Sequence, residues 1–277
     1  MTDPAIPRLT APPGACDTHF HIYEPQYPLA ATAALPAPPA ATFADYARVR
    51  ARLGIERTVV VQPTAYGADN RCTMAAVAAF GPSSRAVVVV DPSVGDAELA
   101  DLTARGARGI RFFFLPGGAL PFEVLDEMAA RVRDHGWHVQ MQLDGNLLPD
   151  YEAAFARLPG GLVIDHVGRF HGGVAPDSPA FKSLLRLVEG GDCWVKLSAP
   201  YMSTPEAGPG YPAVTACARD LVKTAPERMV WASNWPHPGV EPRPDDGPLL
   251  DLLLAWADDD ATRRRILVDN PAVLYGF

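Results

Sequence analysis

The run Gly14-Ala15-Cys16-Asp17-Thr18-His19-Phe20-His21-Ile22 sets a carboxylate and two imidazoles at alternate positions. Every second side chain of a strand lies on one face. A strand here projects Asp17, His19 and His21 together, with Thr18, Phe20 and Ile22 opposite. Such groups move protons or bind metals, and they are costly to bury without partners. A metal, a substrate or other polar groups must therefore meet them. The plainer reading is a pair of core histidines satisfied by backbone carbonyls. His166 and the run Trp235-Pro236-His237 further along favour a site.

Such residues need a scaffold. The chain has 277 residues and is 48% hydrophobic, enough for a sizeable core. An α/β barrel of this length is commonly one domain. With 24 Lys+Arg against 32 Asp+Glu, the net charge of −8 argues against a nucleic-acid footprint and does not suggest an anionic membrane surface. An anion can still be held locally, by Arg or a helix N-terminus. Cys16, Cys72, Cys193 and Cys217 are scattered without a C-x-x-C, which predicts free thiols in a reducing compartment. The opening MTDPAIPRLTAPPGA lacks a basic-then-apolar pattern, and no apolar run reaches about 18 residues. The expectation is a cytoplasmic protein that does not span a membrane.

Residues 1–13 are Pro-rich and predict an extended arm. Residues 24–40 hold too many prolines for a helix and predict a long loop after the first strand, a lid or pocket wall anchored by Tyr23 and Tyr27. From there the chain alternates. Apolar, β-branched strands are predicted at 56–63, 85–92, 108–116, 137–145, 160–168, 193–200 and 228–236. Helices are predicted between them at 42–53, 69–80, 96–105 (capped by Asp96), 121–135, 149–158, 178–189 and 212–225, with 246–257 and 259–268 closing the chain. Strands without polar alternation are buried on both faces, as in a parallel sheet covered by helices. Eight β/α units predict a single (β/α)8 TIM barrel over residues 1–277. A doubly wound sheet lacks its Gly-rich phosphate turn here.

Barrel active sites form at the C-terminal ends of the strands. The polar residues at those ends are Asp17, His19 and His21, then Gln62 and Thr64, Asp91, Arg111, Gln142 and Asp144, Asp165 and His166, Lys196, Ser198 and Tyr201, and Asn234 and His237. A barrel without function would place apolar side chains there. Their convergence predicts an enzyme.

Asp17-Thr18-His19-Phe20-His21, Val163-Ile164-Asp165-His166-Val167-Gly168 and Trp231-Ala232-Ser233-Asn234-Trp235-Pro236-His237-Pro238 resemble the amidohydrolase superfamily. Val59 to Gln62, Ala68-Asp69-Asn70, Arg108-Gly109-Ile110-Arg111 and Leu267-Val268-Asp269-Asn270-Pro271 resemble its family-2 lactonase branch. The likeness runs over about residues 12–277. It implies a small-molecule lactone as substrate, with no cofactor, since that branch works without metal. Metal-dependent members add a histidine on strand five and an aspartate on strand eight. Here those places carry Gln142 or Asp144, and Asn234. A divalent ion such as Zn²⁺ at His19, His21 and His166 is the alternative.

Asn234 also bears on the reaction, because an amide takes no proton usefully near pH 7. The resemblance then implies isomerisation of a sugar-acid (aldaric) lactone between 1,5 and 1,4 forms. Arg111 and Lys196 would hold a carboxylate or polarise the lactone carbonyl. His19, His21 and His166 would donate to the oxyanion. His237 or His166 would shuttle the proton, assisted by Asp17 or Asp144, and Asn234 would orient the substrate. Gln62, Asp69, Asn70, Gln142, Asp144 and Tyr201 would meet its hydroxyls. Only Arg111 is expected as a guanidinium clamp, which disfavours a planar pyrone dicarboxylate. A lactonase acting on a carboxylated lactone such as 2-pyrone-4,6-dicarboxylate, a metal-dependent hydrolase or decarboxylase, and a ligand-binding barrel without turnover are the alternatives. Oligomeric state has no signal in the sequence.

Overall fold

Short runs of β-branched and apolar residues form the strands, because such side chains pack well on a pleated surface covered on both sides. A computed structural model describes residues 4–34, 38, 41–204 and 210–277. The strands are β1 (Cys16–Phe20), β2 (Arg57–Val61), β3 (Ser84–Val88), β4 (Ala107–Phe113), β5 (His138–Gln142), β6 (Leu162–Ile164), β7 (Cys193–Leu197) and β8 (Met229–Trp231). They pair in parallel, each with the next in the chain. The segment after β8 returns to β1: Asn234 N donates to His19 O at 2.8 Å, and His21 N donates to Trp235 O at 2.9 Å. The result is a (β/α)8 barrel.

Its outer layer is α1 (Phe43–Leu53), α2 (Arg71–Phe80), α3 (Asp96–Ala104), α4 (Leu125–Arg133), α5 (Leu148–Phe155), α6 (Pro179–Glu189), α7 (Pro212–Thr224) and α8 (Asp246–Asp251), with shorter turns to Tyr275. Local signals set the ends. Thr42 and Asp45 close a reciprocal capping box on α1, which stops at Gly54 in a left-handed conformation. On α3 the N-cap is Gly95 rather than Asp96, whose carboxylate instead sits in the first turn beside the positive helix end. Tyr275 packs against Cys16, Val59, Val61 and Val87 at the start of the barrel. Among the described residues no helix is long and apolar enough to cross a membrane. All four cysteines are free and buried.

Two departures from the sequence expectation position the site. First, β1 holds one extra residue: Asp17 pairs with Thr58, yet Phe20 pairs with Val60. Such a bulge breaks the alternation. Asp17 and Phe20 both turn to Tyr46 of α1, by a 2.8 Å hydrogen bond and by ring stacking. Asp17 therefore does not share a face with His19 and His21.

Second, the strands end earlier than their apolar runs suggest, so Asp165, His166, Asn234 and His237 lie in turns. His166, Val167 and Arg169 after β6, Ala199 after β7, and Asn234 and His237 after β8 all have positive φ. Each such residue costs on the order of 1–3 kcal/mol. That strain gathers on one rim of the barrel.

The N-terminal arm, described from residue 4, is held by Ala5 N on Asp245 and Leu9 N on Asp251. In the loop predicted at 24–40, residues 35–37, 39 and 40 lie outside the described residues. The rings of Tyr23 and Tyr27 lie 5.9 and 6.4 Å from that of Tyr66.

Candidate active site

Inside the barrel a chain of buried polar side chains climbs toward the strand ends. Lys196 of β7 donates to Thr18 O at 2.8 Å and to Gln140 Oε1 of β5 at 2.6 Å. Gln140 Nε2 donates to Asp165 Oδ2 at 3.0 Å, and His19 Nδ1 meets Asp165 Oδ1 at 3.2 Å. Lys196 is fully buried, 3.7 Å from Asp165. Burial pulls its ammonium down to about 8, with Asp165 opposing. It supports the site from below and does not bind at the barrel mouth as expected.

Above this layer, His21 Nδ1 donates to Val61 O at 2.8 Å. His21 Nε2 is 3.3 Å from His19 Nε2. Burial, with Arg111 adding to it, lowers the His21 imidazole to about 3. His19 and His166 are also held well below the ordinary value by burial. All three are neutral near pH 7. Val61 O accepts at His21 Nδ1, so His21 Nε2 carries a lone pair. His19 Nδ1 is shared by the Asp165 acceptor and by two donors, Lys196 Nζ and Gln140 Nε2, each at 3.4 Å. Among the described residues His19 Nε2 and His21 Nε2 meet only each other. The expected donation to an oxyanion is corrected for His21, whose Nε2 accepts. His166 packs beside them, its ring 4.8 Å from that of His19 and its Nδ1 2.8 Å from Ser198 Oγ.

A cavity of about 160 Å³ opens over these groups, with His21, His166, Arg111, Gln142, Arg169 and Asn234 in its walls. That volume suits a compact ligand, smaller than the clefts of about 300 Å³ and above that take drug-sized molecules. Tyr23, Thr64, Phe113 and Met202 complete much of the wall. Among the described residues no carboxylate lines it. Arg111 donates to Gln62 O and Gln142 Oε1, each at 2.8 Å, and its guanidinium stacks 5.1 Å over Phe113. Among the described residues the buried Nε atoms of Arg111 and Arg169 meet no partner. Arg169 was not expected: the second guanidinium comes from the turn after β6. Its one sequence signal is a charge three residues past His166.

Asn234 Nδ2 donates to Tyr201 Oη at 2.9 Å, which meets His237 Nδ1 at 2.7 Å. His237 Nε2 meets Asp246 Oδ1 at 3.1 Å. His237 is buried behind the wall with both ring nitrogens engaged. Asp246 carried no sequence signal, since its Asp-Asp-Gly-Pro setting reads as a helix start.

Several expected substrate ligands are instead structural. Gln62 holds Gly67 O, Asp69 O and Thr73. Asn70 ties Ala68 and Val89, Asp69 pairs with Arg71, and Asp144 caps the turn at Asn146 and holds His171 N. Asp17 accepts from Ser233 N and Oγ, Tyr46 Oη and His19 N. A larger groove of about 880 Å³ lies beside Arg8 and Tyr211, away from the strand ends.

His19, Asp165 and His166 offer ligand atoms within 4.8 Å of one another. That set fits a divalent ion poorly. Asp165 is already engaged by Gln140 and His19 beside the Lys196 ammonium, and Asn234 is neutral with its amide nitrogen on Tyr201. The cations Lys196 and Arg111, which depress the imidazoles, also repel a dication.

A family model described as amidohydrolase matches residues 16–277. The chain belongs to the amidohydrolase family. This amidohydrolase is 38% identical to D-galactarolactone isomerase of Agrobacterium fabrum, over 99% of its own length and 93% of the relative's. It is 36% identical to a 2-pyrone-4,6-dicarboxylate hydrolase of Comamonas testosteroni, over 99% and 93%. An apo crystal structure of an Agrobacterium tumefaciens protein superposes with a TM-score of 0.92 at 38% identity, covering 98% of each chain. The two named relatives are lactone-transforming enzymes, and the amidohydrolase described here shares the fold of the superposed structure.

Proposed function

We propose that this amidohydrolase interconverts the 1,5- and 1,4-lactones of an aldaric acid without a metal. One observation carries the reading. Among the described residues the cavity wall holds two guanidinium groups and neutral imidazoles but no carboxylate. A substrate hydroxyl is a donor for the Nε2 lone pair of His21 in the cavity wall. It gives its proton to His21 Nε2 as its oxygen attacks the lactone carbonyl carbon. Arg111, in the cavity wall with His21, meets the tetrahedral oxyanion. When the old ring C–O bond breaks, the leaving alkoxide recovers the proton, so none is released. Arg169 takes the free carboxylate, and Gln142 and Asn234 meet the remaining hydroxyls. The relation to D-galactarolactone isomerase supports the substrate class.

A second reading rests on the paired guanidinium groups. Arg111 and Arg169 in one small cavity also suit a lactone with two anionic groups, opened by water in place of the hydroxyl. The four buried free thiols support a cytoplasmic location for either enzyme.

The test is a proton NMR time course with D-galactaro-1,5-lactone, with and without a chelator. The expected result is a 1,4-lactone that grows in before any open diacid, equally in both samples. Open diacid alone selects the hydrolase reading. Loss of activity with chelator overturns the metal-free part.

A further inference from the structure

The direction of each hydrogen bond behind Asn234 is set by a residue far from the cavity. Asp246, at the start of α8, has a carboxylate that can only accept, so His237 donates to it from Nε2 across 3.1 Å. A neutral imidazole protonated at Nε2 has a lone pair at Nδ1, and the Tyr201 hydroxyl donates to it across 2.7 Å. With its hydrogen committed, the Tyr201 oxygen accepts from Asn234 Nδ2 across 2.9 Å. Arg52 of α1 lies 3.6 Å from the other Asp246 oxygen and balances its charge. Three of these groups are almost fully buried: Asp246 at 4%, His237 at 2% and Asn234 at 1% exposure.

We propose that Asp246 is a positioning residue for the reaction, acting through His237 and Tyr201 to turn the Asn234 amide so that its carbonyl oxygen faces the substrate. Asn234 then accepts from a lactone hydroxyl, and a substrate group that only accepts is disfavoured at that wall. The proposal rests on the lactone reading for its kinetic consequence but not for its structural one. In Asp246→Asn the amide oxygen stays on the Arg52 side, so its N–H faces His237 and the chain reverses: His237 moves its proton to Nδ1, Tyr201 donates to the Asn234 oxygen, and the amide N–H of Asn234 faces the cavity.

The test compares the wild type with Asp246→Asn, Asp246→Glu and Tyr201→Phe. Long-range ¹H–¹⁵N spectra, assigned by the signal lost in His237→Gln, report the His237 tautomer. The expected wild-type state is Nε2–H with a bare Nδ1, kept in Asp246→Glu and switched to Nδ1–H in Asp246→Asn. On the lactone, Asp246→Asn and Tyr201→Phe lose about 10–100-fold in kcat/KM, the worth of one misdirected buried hydrogen bond, and Asp246→Glu recovers most of it. A wild-type His237 protonated at Nδ1 overturns the proposal, as does Asp246→Asn with a switched tautomer and unchanged kcat/KM. If Asp246→Asn does not fold, Tyr201→Phe carries the kinetic arm. If the wild type turns over no lactone, the functional reading fails, and the tautomer still decides the hydrogen-bond directions.

Discussion

Arg111 and Arg169 reach one cavity from β4 and from the turn after β6, and the buried Nε of each meets no partner among the described residues. Burial lowers both guanidinium groups from their ordinary value, a sign of incomplete solvation that an anionic ligand relieves. Charge-assisted hydrogen bonds are worth about 1.5–3 kcal/mol. Arg169→Gln and Arg111→Gln should therefore each lower kcat/KM by roughly 10–150-fold on a carboxylated lactone. The check is a matched lactone without the carboxylate, on which Arg169→Gln should lose little. An equal loss on both substrates rejects the assignment.

The Nε2 lone pair of His21 makes a kinetic prediction. General bases contribute about 10²–10⁴-fold. His21→Gln should lose turnover on that scale, while calorimetry shows a substrate-like carboxylate still binding within a few-fold of wild type. Full turnover in His21→Gln removes it as the proton acceptor.

Lys196 and Asp165 are both at zero side-chain exposure, 3.7 Å apart. Removing one member of such a pair leaves a buried charge alone and costs about 3–5 kcal/mol. Lys196→Met should lower the unfolding free energy measured in urea by that amount, and Lys196→Met with Asp165→Asn should regain part of it. The gain in the double variant separates a support role from a contact with substrate.

Acid should unfold this protein early. Burial holds His21 and His138 at about 3, against 6.5 for an ordinary imidazole. Between those values the unfolded chain binds more protons, so stability is full above about pH 6.5 and falls as pH drops toward 3. His19 and His166 shift in the same direction. Asp17 acts oppositely, since burial raises it from 3.8 to about 6 and it favours the folded state on acidification. Four imidazoles outweigh one carboxyl. Thermal midpoints should decline steadily below pH 6.5, and His138→Gln, outside the cavity wall, should soften the decline. A midpoint unchanged down to pH 4.5 contradicts this account.

The barrel was legible in the sequence because its strands are apolar runs cut by Gly and Pro, and because α1 carries its own cap and stop. His21, His166, Arg111, Gln142 and Asn234 were legible because strand ends locate a barrel site, and the structure brings them to one cavity. Asp17 was misplaced because one inserted residue in β1 reverses a period-two pattern, and nothing in the residue types marks the insertion. Gln62, Asn70 and Asp144 were misread because polar side chains at strand ends also satisfy the backbone of the turns that follow. Arg169 and Asp246 enter through left-handed turns and a helix start, where position in the chain says little about position in space.

The Asp17 carboxylate joins the first strand to Ser233, 216 residues later, and the His19 main chain is held by the same oxygen that holds Ser233 N. A ribosome releases the chain from its N-terminus at about 5–20 residues per second. The first strand thus waits on the order of 10–40 s for the segment that locks it. Through most of synthesis the histidines are present but unaimed. A chain that ends before Ser233 lacks the group that locks His19.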